Sequence, residues 1–338
     1  MDPTLYDCYV AVAPEGGGTI DISELIENAS WTEDDGELAA RITFDAKNDE
    51  TSMGRLSSLA PPGSWICVLY SYDGGGKTEA VKGKIKQWKV NADASRERFS
   101  CKAYDICYDL QESQDVVYYS KGQNTKTVIS KLLSDWGLSL GKYTGPSETH
   151  DKIQYKNEKI GTIITKLLKE AHDKGGKDAI LRASGSSVDV VAYGGNSPVY
   201  TIEEGVNLVS VSHTIDIGGI VTRVKIYSHE DKNGKPKIRG QEDGKTKYGI
   251  HQRIQIMGKK DTEAEAKKTA KQVLKDEGDP DETITIKAPD IPTIRKGYKI
   301  KLDTNSCDKG EYFITSITHQ IEKKIMTLTV KKTSKFNT

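Results

Sequence analysis

Cys307 and His319 are the two side chains in this sequence that can be drawn as a nucleophile and its general base. A cysteine peptidase also needs an Asn or Asp to orient the imidazole, and spacing marks no residue for that role. His319 stands in a β-branched stretch (ITSITHQI), so it is expected as a packed, hydrogen-bonded strand residue. The sequence contains no H-E-x-x-H, no G-x-S-x-G, no P-loop and no Cys/His group at zinc spacing. Gly16–Gly18 and Gly74–Gly76 precede strands, lack the helix dipole that holds a phosphate, and read as turns. With 49 carboxylates, no pair can be singled out for glycoside cleavage. The expectation is no catalytic residue, no cofactor, no metal and no enzyme.

The 49 basic and 49 acidic residues cancel, so the chain lacks the long-range field that would gather nucleic acid or an anionic membrane. The five cysteines (Cys8, Cys67, Cys101, Cys107, Cys307) are odd in number, show no C-x-x-C spacing and mostly sit in apolar segments, as buried reduced thiols do. Met1 leads into Asp2-Pro3-Thr4 rather than into a basic and then apolar signal, and no apolar run approaches the roughly 20 residues that span a bilayer. The expected chain is soluble, without an export signal, and long enough for two or three domains.

Short strands dominate the first part. Tyr6–Ala13, Trp65–Tyr72, Val81–Val90 and Arg98–Leu110 follow the rhythm of a small antiparallel barrel or sandwich. Two apolar segments, Thr19–Ile26 and Ala39–Phe44, are expected as hairpins, with Trp31 between them and Glu33-Asp34-Asp35-Gly36 as the reversing turn. The pattern changes near Ser113. Thr125–Trp136 is helical, capped by Asn124 or Thr125 and stopped at Gly137; TVISKLL (127–133) returns as TIITKLL (162–168), ending at Gly175. This is either an internal duplication or two helices docked on one small sheet, supplied by Lys152–Tyr155, Ala179–Ala183 and Ser187–Tyr193. After the boundary at Gly194–Pro198, strands resume at Val199–Ile202, Leu208–Ile217 and Ile220–Ser228, and 229–247 reads as a solvated hairpin tip. Tyr248–Met257 alternates Ile250, Ile254 and Ile256 with polar residues, as a half-buried strand would. A helix at 261–277 follows, capped by Asp261 or Thr262 and ended by Gly278 with Pro280. Glu282–Lys287, Tyr298–Leu302, Glu311–His319 and Ile325–Val330 then form a meander. The fold class is α+β and mainly β: barrel-like domains at 1–112 and 199–338, and an α/β insert at 113–198.

The order of these parts resembles the baseplate hub of contractile phage tails and of phage-tail-like bacteriocins, a family similar to late-control proteins and to the first part of type VI spike proteins. The likeness is carried by Asp21-Ile22-Ser23, Trp31 and Ala40–Phe44; by Ala103-Tyr104-Asp105 with Leu110; and by the two TVISKLL/TIITKLL helices. Val206-Asn207 before Val209 and Val211, Tyr248-Gly249, Lys296–Ile300 and Ile317-Thr318-His319 continue it. Where such families often place an acidic residue after the strand-initiating glycine, this chain has Tyr298. The resemblance implies a homotrimer whose two similar domains per chain present a pseudo-sixfold ring, joining a sixfold tail tube to a threefold spike. It implies tube, spike, tape measure and baseplate wedge proteins as partners, no membrane and no sequence-specific nucleic acid. The place would be the particle, after assembly in the bacterial cytoplasm. The alternative expectation is a tail protein that binds or hydrolyses the cell wall, with 113–198 as a LysM-like binding part and the chain ending at Thr338 without a catalytic extension.

Overall fold

A computed structural model describes residues 2, 4–14, 17–48, 50–51, 54–92, 97–229, 236–258 and 261–333. Gly16 of the first glycine turn and residues 230–235 of the expected hairpin tip lie outside them. The fold is mainly β with antiparallel sheets, and five α-helices are present among the described residues. The chain forms two compact units: Met1–Val211 with Thr285–Val330, and Ser212–Ile284 with Lys331–Thr338.

In the first unit, strands from both ends of the chain interleave in one sheet. Gly310–Gln320 pairs with Ile26–Glu33, and then follow Arg41–Lys47, Glu97–Tyr104, Thr78–Ala92, Trp65–Ser71, Asp7–Ala13 and Ile20–Asp21. Trp31, Ile42, Phe44, Phe99 and Ala103 are buried together, as the two-residue alternation of these strands requires. Two expectations are corrected here. The stretch between the two expected segments is itself a strand, Ile26–Glu33, which holds Trp31, and Glu33 is the buried last residue of that strand rather than the start of the turn. The turn that follows places Gly36 at φ +76°, and the strand pair it joins is antiparallel.

The four-strand meander is also corrected. Lys299–Asp303 pairs antiparallel with Gly310–Gln320, but Asp281–Pro289 neighbours Ile325–Lys332 on the other side. Pro289 and Pro292 remove two backbone donors just where a tight hairpin would need them, so the chain crosses over instead.

The stretch expected as an insert holds strand–helix–strand twice. Gln114–Tyr119, Thr125–Asp135 and Ser139–Tyr143 are followed by Ile153–Lys159, Ile160–Asp173 and Ala179–Ser184. Val128, Ile129, Leu132 and Leu133 share one buried cluster with Ile163, Ile164, Leu167 and Leu168. The three strands assigned to a single sheet are divided: Ile153–Lys159 pairs with Gln114–Tyr119, while Ala179–Ser184 and Ser187–Ala192 join Ser139–Tyr143. Ser139–Tyr143 is short and broken by Gly141 and Lys142, whereas Gln114–Tyr119, with Val116, Val117, Tyr118 and Tyr119, carried a strand signal that the sequence reading passed over.

In the second unit, Arg223–Tyr227 lies between Ile238–Asp243 and Gln252–Ile256, parallel to the latter. The helix Glu263–Glu277 packs Ala266 and Ala270 onto Val224 and Ile226. Its cap is Thr262, in a capping box with Glu265. Gly278 is needed for space rather than for conformation: at φ −90° its backbone is ordinary, but a Cβ there would lie 2.1 Å from the Leu274 carbonyl oxygen. Ile250, expected on the same half-buried strand, lies before it and is exposed at 62%, and the expected burial of Ile254 and Ile256 is corrected, since both are exposed, at 59% and 65%. Register pairs them with Lys225 and Tyr227, on the face opposite Val224 and Ile226, so the helix covers the wrong side to bury them. Gln255 and Arg253 are the residues of this strand that bond the helix, Gln255 donating to the Ala266 carbonyl at 3.1 Å and Arg253 to the Glu277 carboxylate. No helix among the described residues is long and apolar enough to cross a membrane.

Candidate functional site

Cys307 and His319 are not brought together. Cys307 precedes the strand Gly310–Gln320, and His319 stands nine residues into it, roughly 30 Å along at 3.3 Å per residue. His319 is 0% exposed. Its Nδ1 lies 2.6 Å from Asp290 Oδ1 and its Nε2 lies 3.1 Å from the Ile294 carbonyl oxygen, so neither nitrogen offers a substrate a free lone pair. Among the described residues no disulfide joins any of the five cysteines. Burial pushes Cys8 and Cys101 up to about 12 and Cys107 well above the ordinary range, which leaves almost no thiolate at neutral pH in those three. Gly74–Gly76 forms the expected turn, with Gly74 at φ +69° and the Gly75 N–H donating to Tyr72.

The structure instead assembles a buried polar junction between Ile26–Glu33, Gly310–Gln320 and the crossover at 290–298. Arg295 forks onto Glu33, Nε to Oε2 at 2.9 Å and Nη2 to Oε1 at 2.8 Å, and the Lys296 backbone N–H adds a third bond to Oε2. Burial alone would raise the Glu33 carboxyl, but the guanidinium and these donors hold it down at about 2. The Lys296 ammonium donates to the Asp34 and Glu37 carbonyls, closing the turn that follows the strand. Asp290 accepts from the Tyr6 hydroxyl as well as facing His319, and Lys324 donates to the Tyr6 carbonyl. Burial and then the Asp290 carboxylate keep the Tyr6 phenol protonated.

Asp105 holds the next strand end in place. Its two carboxyl oxygens accept from the Ala40 and Cys107 backbone N–H groups, at 2.9 and 2.8 Å, yet burial outweighs both donors and pushes it up to about 7. These groups satisfy one another in the interior, which suits them to holding strands rather than to turnover. Among the described residues, no cluster of three or more His, Cys, Asp or Glu could hold a metal.

The sequence reading missed Glu33, Arg295, Asp290 and Asp105 as partners. Asp105 and Lys296 lie within stretches that carried the resemblance, but 262 positions separate Glu33 from Arg295, and no local pattern joins them. It also missed Arg182 and Lys142, which share a cleft.

The protein XkdQ of the phage-like element PBSX in Bacillus subtilis (strain 168) is 23% identical over 240 residues, 68% of this chain and 71% of that protein. Among solved structures, the fold matches the prophage MuSo2 43 kDa tail protein from Shewanella oneidensis, with a TM-score of 0.68 and 13% identity over 96% of this chain and 98% of that one. It also matches the Escherichia coli c3393 protein, described as a component of the type VI secretion system, with a TM-score of 0.52 and 10% identity over 92% of this chain and 74% of that one. The model of the YqbQ-like family matches residues 30–331, and the chain belongs to that family.

Proposed function

We propose that this chain is a structural baseplate hub of a contractile tail or injection particle, a trimeric adaptor joining a sixfold tail tube to a threefold spike. The observation that carries the reading is the fold shared, nearly end to end, with a whole prophage tail protein. The XkdQ relative from a phage-like element agrees with it. In this reading residues 1–112 and 199–338 act as two barrel-like, quasi-equivalent domains, so that three chains present six similar surfaces to the tube and three to the spike. Residues 113–198 are carried between them. The partners are a homotrimer, the tube and spike proteins, and tape measure and wedge proteins around them; the place is the particle, assembled in the cytoplasm. The work is mechanical rather than enzymatic: an interior clamp such as Glu33–Arg295 resists shear between strands from opposite ends of the chain.

The test is solution mass by light scattering at several concentrations, with and without co-expressed tube and spike proteins. The expected result is a species near three times 37.3 kDa, alone or with the spike. A chain that stays monomeric with both partners present and sediments with purified cell walls overturns the hub and favours wall binding.

A further inference from the structure

Arg182, on the strand Ala179–Ser184, carries a guanidinium nitrogen, Nη1, that is buried and has no hydrogen-bond partner among the described residues. A charged donor kept dry and unpaired is costly, and such a group in a cleft marks a place where a ligand supplies the missing acceptor. The residue opposite it across the strand pair, Asp189, does not fill that role. Its Oδ1 accepts from the Lys142 backbone N–H at 2.7 Å, and no ion pair joins Arg182 to a carboxylate among the described residues. The guanidinium carbon lies 4.9 Å from the centre of the Tyr298 ring, a contact that orients the group and neutralises nothing.

Arg182 and Lys142 line one cleft of about 210 Å³ with Tyr298, Tyr200, Pro198 and Asn196, and none of its lining residues is acidic. Two cations line the recess against one neighbouring carboxylate, Asp189, which leaves a net positive charge there. The rings of Tyr298, Tyr200 and Pro198 add apolar wall. We infer that this cleft binds a carboxylate on a short apolar stem, with Arg182 as the principal donor and Lys142 as the supporting charge. A guanidinium offers two parallel N–H groups at the spacing of carboxylate oxygens, while the stem packs on the rings. A phosphate brings more charge and more acceptors than these two side chains answer. The site is independent of the tail reading, and neither rests on the other.

Titration of the nitrogen-15-labelled full chain with sodium butyrate at constant ionic strength, with sodium chloride and inorganic phosphate as parallel arms, tests this by NMR. The expected result is saturable shifts at the Ala192, Asn196 and Tyr298 amides and at Arg182 Nε. Arg182→Gln weakens butyrate about tenfold or more, the loss of one charge-assisted bidentate contact. Lys142→Gln, at an exposed position whose change leaves the fold intact, weakens it about two- to fivefold. Butyrate shifts no larger than those from chloride, or equal affinities in the wild type and both variants, overturn the site. Phosphate binding more tightly than butyrate overturns the carboxylate assignment.

Discussion

The ring of His319 lies flat against Trp31, with centroids 3.9 Å apart and planes 8° from parallel. The two residues are register partners on Gly310–Gln320 and Ile26–Glu33, so a strand near one end of the chain is stacked on a strand near the other. His319→Ala removes the stack, opens a cavity and takes one partner from the buried Asp290. The expected loss is about 2–4 kcal/mol, read from urea unfolding. A loss under about 0.5 kcal/mol, the range of an ordinary surface change, would sink the structural role assigned here.

Glu33 and Arg295 form a second such link, and breaking it from either side strands a charge in the interior. Glu33→Gln and Arg295→Met are each expected to cost about 3–5 kcal/mol, and the double variant less than their sum. The pair also sets an acid limit. Because the folded carboxyl is held down at about 2 against an ordinary 4.5, its contribution is complete above pH 4.5 and disappears as pH falls toward 2. Stability of the wild type measured from pH 5 down to 2 should fall more steeply than that of Arg295→Met; equal slopes would refute the linkage.

Asp105 titrates in the opposite sense. Its folded value of about 7 stands above the ordinary 3.8, so the folded protein binds the extra proton, and this group subtracts stability as pH rises from 3.8 to 7. The carboxyl carbon-13 shift of Asp105 should show a midpoint near 7. A midpoint near 4 would mean that the Ala40 and Cys107 donors outweigh burial.

At Gly278 the obstacle is the Leu274 carbonyl, a backbone atom that cannot rotate away. Gly278→Ala should cost about 1–3 kcal/mol and speed hydrogen exchange in the last turn of Glu263–Glu277. Unchanged exchange there would show that the turn opens freely.

Ile254 and Ile256 should behave as surface residues. Ile254→Ser and Ile256→Ser are expected to change unfolding free energy by less than about 0.5 kcal/mol. A loss of about 2 kcal/mol or more, as for a core isoleucine, would mean that the sheet face carrying them is covered.

Local physics decided what the sequence by itself could fix. Helix starts are set by side chains within three residues of the cap, so the sequence narrowed each cap to two neighbours, Asn124 or Thr125 and Asp261 or Thr262, of which Asn124 and Thr262 cap their helices. The paired TVISKLL and TIITKLL stripes showed their buried face because a helical period depends only on the helix itself, and β-branched runs revealed most strands of the large sheet. Strand partners and sheet faces are different. Alternation says that Ile254 and Ile256 share a side, but only the packed helix decides that the other side is the buried one. Sequence likewise could not pair Glu33 with Arg295, send Asp281–Pro289 to the far side of Ile325–Lys332, or leave Arg182 unpaired in a cleft. Those outcomes depend on contacts between residues tens to hundreds of positions apart, and only the closed fold makes those contacts.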